Sequence, residues 1–61
     1  MNDLRSMTLE EIKAALTEMG QPAFRGAQIF DWVQAKKVRS VDEMTNLPKN
    51  LREQLKENFS L

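Results

Sequence analysis

The sequence predicts an all-α domain, a small bundle of three main helices plus one short helix, and three observations carry that prediction. Apolar residues recur at helical spacing in three separate stretches. Two Ser/Thr-x-x-Glu capping boxes, at Thr8 and Ser40, mark places where a helical turn should open. No segment sustains the period-two alternation of a half-buried strand, so strands are not expected. At 61 residues, the chain can form one small domain that buries only ~60% of the surface its unfolded form exposes. With no Cys and no His, disulfides, thiolate or histidine metal sites, and Cys–His or Ser–His catalysis are excluded for this chain, so packing alone must hold it.

Residues 1–7 precede the first cap and are expected to be an N-terminal tail, with the helical domain over 8–61. In the first helix the Thr8 hydroxyl can accept from the Glu11 amide while Glu11 reaches back. Leu9, Ile12, Leu16 and Met19 form its apolar stripe, and Gly20 followed by Pro22 stops it. The second helix should start near Pro22–Phe24 and run to about Lys36 or Lys37, with Ile29, Phe30, Trp32 and Val33 in one apolar arc. Gly26 falls in that arc. It costs about 1 kcal/mol of helix stability relative to alanine, which points to a close approach by another helix. Arg25 lies one turn before Ile29, either facing a ligand or packing its stem on Phe24 or Trp32 with its head in water.

The Ser40 box opens a short element holding Val41 and Met44, and Pro48 ends it and suits the first turn of the next helix. That last helix should run from Pro48 to about Asn58, with Leu47, Leu51, Leu55 and Phe59 recurring every four residues. The expected core is Leu9, Ile12, Leu16, Met19, Phe24, Ile29, Trp32, Val33, Met44, Leu47, Leu51, Leu55 and Phe59, gathered around the Trp32 indole. Met7, Met19 and Met44 are read as gap fillers.

The chain is neutral overall, with nine basic and nine acidic residues, which excludes a strongly basic nucleic-acid arm or an acidic tail. The distribution is uneven. Residues 23–41 carry four basic residues against one acidic, whereas residues 1–22 carry two against four. Lys36-Lys37-Val38-Arg39 is the densest point of the basic stretch. Such a patch can attract phosphate, or can simply offset the negative end of a helix dipole. On the last helix Lys49, Arg52 and Lys56 share a face with Glu53 and Glu57 beside them, either as a solvated ion-paired face or as a phosphate-facing ridge.

Catalytic constellations are missing. The two glycines are isolated, so no Gly-rich loop cradles phosphate. Glu10/Glu11 and Asp42/Glu43 are adjacent pairs that diverge on a helix and suit capping better than acid–base work. The oxygen ligands are too scattered for a calcium loop. Nothing is long and apolar enough to span a membrane, and the N-terminus lacks a signal core, so a cytoplasmic location is the expectation.

The run Pro22-Ala23-Phe24-Arg25-Gly26-Ala27-Gln28-Ile29-Phe30-Asp31-Trp32-Val33, followed by Val41-Asp42-Glu43-Met44-Thr45-Asn46-Leu47-Pro48-Lys49-Asn50-Leu51-Arg52, resembles the N-terminal accessory domain of the radical-SAM adenine-C2 methyltransferases of 23S rRNA and tRNA. The resemblance covers about residues 9–59. It implies a small, helix-hairpin-helix-like unit that helps engage RNA. Catalysis in that family belongs to a following partial (β/α) barrel with a [4Fe–4S] cluster on three cysteines, an S-adenosyl-L-methionine site and two further cysteines. None of those cysteines is in this sequence, so the resemblance implies an accessory domain without its enzyme, with no catalytic, metal or cofactor-binding residue here. Phe24, Gln28, Ile29, Trp32, Met44, Leu47 and Pro48 match the family pattern and read mostly as core or turn residues.

On charge grounds Arg25, Lys36, Lys37, Arg39, Lys49, Arg52 and Lys56 are the RNA-binding candidates. They are expected to grip phosphates without base readout, because few aromatics are free to stack. The expected partners are rRNA or tRNA and the parent's catalytic barrel, with no membrane and a monomeric state. Two alternatives stand beside this reading. One is a protein-interaction module, because Met19-Gly20 resembles the loop of ubiquitin-binding three-helix domains although the later spacing does not. The other is a purely structural cap on the barrel.

Overall fold

The Thr8 box forms as its residue types require. Glu11 N–H donates to Thr8 Oγ1 at 3.2 Å, and Thr8 N–H donates to Glu11 Oε1 at 2.8 Å. Helix α1 then runs Leu9–Glu18. Gly20 adopts φ +78°, and Gln21 N–H closes back on the Leu16 carbonyl at 2.9 Å, the six-residue return of a glycine-stopped helix. The computed structural model describes residues 2–61, and Met1 lies outside the described residues.

Helix α2 spans Arg25–Gln34, ending two or three residues before the expected Lys36 or Lys37. Its last turn widens: Lys36 N–H reaches the Asp31 carbonyl, and Val38 N–H reaches that of Trp32. Lys37 takes φ +53°. No glycine marks this left-handed residue, which is why the sequence extends the helix too far. A short 3-10 turn follows at Val41–Glu43. Its box is closed by Ser40 Oγ, which accepts from Asp42 N–H, and by Glu43 Oε2, which accepts from the Arg39 and Ser40 amides. Helix α3 runs Lys49–Asn58 with Pro48 at its N-cap.

Two expectations fail at the chain ends. The segment read as a tail is folded: a 3-10 turn at Leu4–Ser6 places Leu4 at 0% exposure, and Gln34 Nε2 donates to the Arg5 carbonyl at 3.1 Å. Strands were not expected, yet β1 (Asn2–Asp3) pairs in parallel with β2 (Phe59–Ser60), in the register Asn2 with Phe59 and Asp3 with Ser60. Two-residue strands have no room to show alternation, so the sequence carries no signal for them. The fold remains all-α, with dimensions of 24 × 23 × 21 Å.

The core is Leu4, Ile12, Leu16, Ile29, Val33, Val38, Val41, Met44, Leu47, Leu51, Leu55 and Phe59. Leu4, Val38 and Val41 are additions to the expected set. Leu9, Met19 and Trp32 are only half-buried, and Phe24 is 61% exposed. The Trp32 indole therefore sits at the rim of the core and not at its centre, where Ile29, Met44, Leu51 and Leu55 are fully enclosed. Gly26 is buried against α1, where a Cβ would lie 2.8 Å from Lys13 Cγ; the close approach inferred from that glycine is real.

Candidate nucleic-acid interface

Helix α2 buries Gly26, Ile29 and Val33 and leaves a second stripe facing outward. Arg25, Gln28 and Trp32, with Lys36 just past the helix end, follow the helical repeat along that stripe. Arg25 Nη1 donates to Gln28 Oε1 at 3.0 Å and approaches the Asn46 carbonyl at 3.5 Å, while its guanidinium lies 4.9 Å from the Phe24 ring centre. Trp32 Nε1 donates to Asn46 Oδ1 at 2.7 Å, and Lys36 Nζ lies 4.9 Å from the Trp32 ring centre while pairing with Asp31. Asn46 thus ties the turn before α3 to the two middle members, Arg25 and Trp32, of a ribbon in which two cations alternate with two aromatic rings. A cation over an aromatic face is drawn to the ring's quadrupole, so each pair holds the other's orientation.

A second basic group lies on α3. Lys49, Arg52 and Lys56 line a recess of ≈ 160 Å³ with Asp42 and Glu53. Lys56 Nζ pairs with Asp42 Oδ1 at 2.7 Å, and that bond, with Coulombic help from Lys56 and Arg52, holds the Asp42 carboxyl below its ordinary range despite some opposing desolvation. Arg52 Nε is buried with no hydrogen-bond partner. The remaining candidates disperse. Lys37 turns from the ribbon into a recess shared with Arg5, Val33 and Gln34, and Val38 between Lys37 and Arg39 enters the core. Arg39 is exposed on the connection to the 3-10 turn. The dense basic run of the sequence is therefore not one patch in space.

The opposite character prevails beside α1, where Asp3, Glu11 and Glu18 line a recess of ≈ 400 Å³. Sequence reasoning missed Phe24 and Trp32 as surface groups because apolar periodicity cannot separate a core aromatic from a rim one. The adjacency of Arg25 to Phe24 was the available signal. It also missed Arg5, hidden in the supposed tail. Among the described residues no group of three or more Asp or Glu side chains could hold a metal ion, and there is no cysteine for an iron–sulfur cluster. The described helices are all too short or too polar to cross a membrane.

The family model for the ribosomal RNA large subunit methyltransferase N-terminal domain matches residues 2–61. A probable dual-specificity RNA methyltransferase RlmN of Bacillus velezensis is 59% identical over 56 residues, covering 92% of this chain and 15% of that protein. One of Alkaliphilus oremlandii is 62% identical over 55 residues, covering 90% of this chain and 16% of that protein. The crystal structure of a radical SAM methyltransferase from Sphaerobacter thermophilus superposes with a TM-score of 0.93 at 36% identity, over 100% of this chain and 18% of that one. The chain thus spans about a sixth of the length of the relatives it matches.

Proposed function

Because the chain belongs to the ribosomal RNA large subunit methyltransferase N-terminal domain family, we propose that it is the non-catalytic, RNA-engaging part of a radical-SAM RNA methyltransferase. The observation that carries this reading is the ribbon of Arg25 and Trp32, joined through Asn46, with Phe24 at one end and Lys36 at the other. Alternating cations and aromatic faces suit a single-stranded nucleic acid, whose phosphates and bases alternate in the same way. The α3 recess adds the charges of Lys49, Arg52 and Lys56 as phosphate partners. Lys37 and Arg39 sit outside both groups and contribute long-range attraction only.

The whole protein would methylate adenosine in 23S rRNA and tRNA in the cytoplasm. Its [4Fe–4S] cluster and S-adenosyl-L-methionine would be held by residues outside this chain, which has no thiolate to offer. This chain's residues would bind and orient RNA and take no part in the methyl transfer. A structural cap on the catalytic barrel is the second reading. It is favoured by the exposed apolar group of Pro22, Ala23, Phe24 and Ala27.

Fluorescence anisotropy with an RNA hairpin bearing an unpaired loop tests the proposal. With three to five cations engaged, affinity should fall roughly 20- to 100-fold between about 50 and 200 mM salt. Lys36→Glu combined with Lys49→Glu should flatten that salt dependence. An affinity indifferent to both salt and charge reversal would favour the cap.

A further inference from the structure

Resting on the RNA-engaging reading, we propose that Phe24 and Arg25 form a stacking site for one unpaired nucleotide, with the Phe24 ring as platform and the Arg25 guanidinium as phosphate partner. Phe24 is the one large hydrophobic side chain left exposed among the described residues, at 61%. Its ring has a polar neighbour placed against one face, unlike an isolated surface phenylalanine. The guanidinium lies against it, and that guanidinium is itself held by Gln28 Oε1 at 3.0 Å and the Asn46 carbonyl at 3.5 Å. One ring face is thereby occupied, and the exposure of the ring leaves the other for a partner of similar flatness.

The charge environment calls for an anionic partner, and a nucleotide is one that needs no further group. Arg25 has only neutral oxygen partners, and no acidic residue occurs between Met19 and Phe30. A protein docking on Phe24 would have to bring a carboxylate of its own to this guanidinium, because burying a charge without a counter-charge is unfavourable. A nucleotide brings both complements together: a base for the ring and a phosphate for the guanidinium, which binds phosphate oxygens in a fork. Stacking on an aromatic ring is tolerant of base identity, so the site would take any unpaired base. The exposed ring thus adds base stacking to the phosphate contacts expected from the sequence, still without readout of base identity.

The test compares a short single-stranded RNA with the same strand carrying abasic positions, titrated at low salt into the chain and into Phe24→Leu and Phe24→Trp. The wild type should prefer the intact strand. Phe24→Leu, which keeps an apolar side chain but no ring, should bind the intact strand about tenfold more weakly and lose the preference for bases. Phe24→Trp should retain both, and it serves as the readout should thermal melting show Phe24→Leu to be poorly folded. Wild-type binding that Phe24→Leu leaves unchanged would overturn the stacking site while leaving RNA engagement intact. A Phe24→Leu defect seen only in association with the catalytic domain would reassign the residue to a protein contact and overturn the site. Absence of wild-type binding to either strand would sink the RNA-engaging reading and the stacking site with it.

Discussion

Gly26 buries its backbone against Lys13, and the space it leaves is smaller than a methyl group requires. Gly26→Ala gains about 1 kcal/mol of helix propensity, but the overpacking it causes costs about 1–3 kcal/mol. The single variant should therefore melt lower, by about 1 kcal/mol net. In a Lys13→Ala background the obstructing Cγ is gone, so adding Gly26→Ala should leave stability unchanged or raise it. A double-mutant cycle by thermal melting reads the difference. Asp42 supplies a second residue-scale prediction. Its carboxyl is held below the ordinary range chiefly by its hydrogen bond from Lys56. A carboxyl depressed in the folded state stabilises above its unfolded pKa, and that contribution disappears as pH falls through the ordinary carboxylate range and below. Asp42→Asn should thus lower the melting temperature slightly at pH 7 and match the wild type at low pH. A gap that persists in acid would contradict this account of the pair. The Gly26 approach was legible in the sequence because an unforced glycine inside a helix has few other causes. The Phe24 and Trp32 exposures were not, because Trp32 fits the apolar arc and Phe24, at the helix start, joins the expected core on its apolar character alone.

At the scale of elements, capping chemistry was readable and helix ends without glycine were not. Thr8, Gly20 and Ser40 declare their positions through side chains that serve only there. The end of α2 has no such marker, since Lys37 adopts the left-handed conformation on context alone. Lys37→Gly should accordingly relieve that backbone and raise stability by up to about 1 kcal/mol, measured by denaturant unfolding. The N-terminal segment was invisible for a different reason: a single Leu among polar residues has no period. Leu4 nevertheless has no solvent exposure, and its neighbour Asp3 pairs with Ser60 across β1 and β2. Leu4→Ala should cost about 2–5 kcal/mol. Against the ~3–5 kcal/mol that so small a core supplies, this variant should lose a large part of its stability, read by circular dichroism as a much lower melting temperature. A cooperative melt close to wild type would mean the segment is dispensable.

For the whole molecule, zero net charge conceals a division of surfaces. Acidic residues gather in the recess beside α1, and the cation–aromatic ribbon and the Lys49, Arg52 and Lys56 group lie on α2 and α3. Such a division orients a polyanion without needing a high total charge. The sequence disclosed the basic middle third, but not that Lys36 and Lys37 part company or that Asn46 joins Arg25 to Trp32, since both depend on how the turn before α3 folds back. The most direct measurement is chemical-shift mapping of the chain with a loop-bearing RNA hairpin at low salt. The account predicts that the Trp32 indole N–H, the Arg25 side chain and the amides near Asn46 and Lys49 shift together, while Glu11 and Glu18 stay unmoved. Shifts confined to the α1 side, or a silent Trp32 indole at saturating RNA, would contradict it.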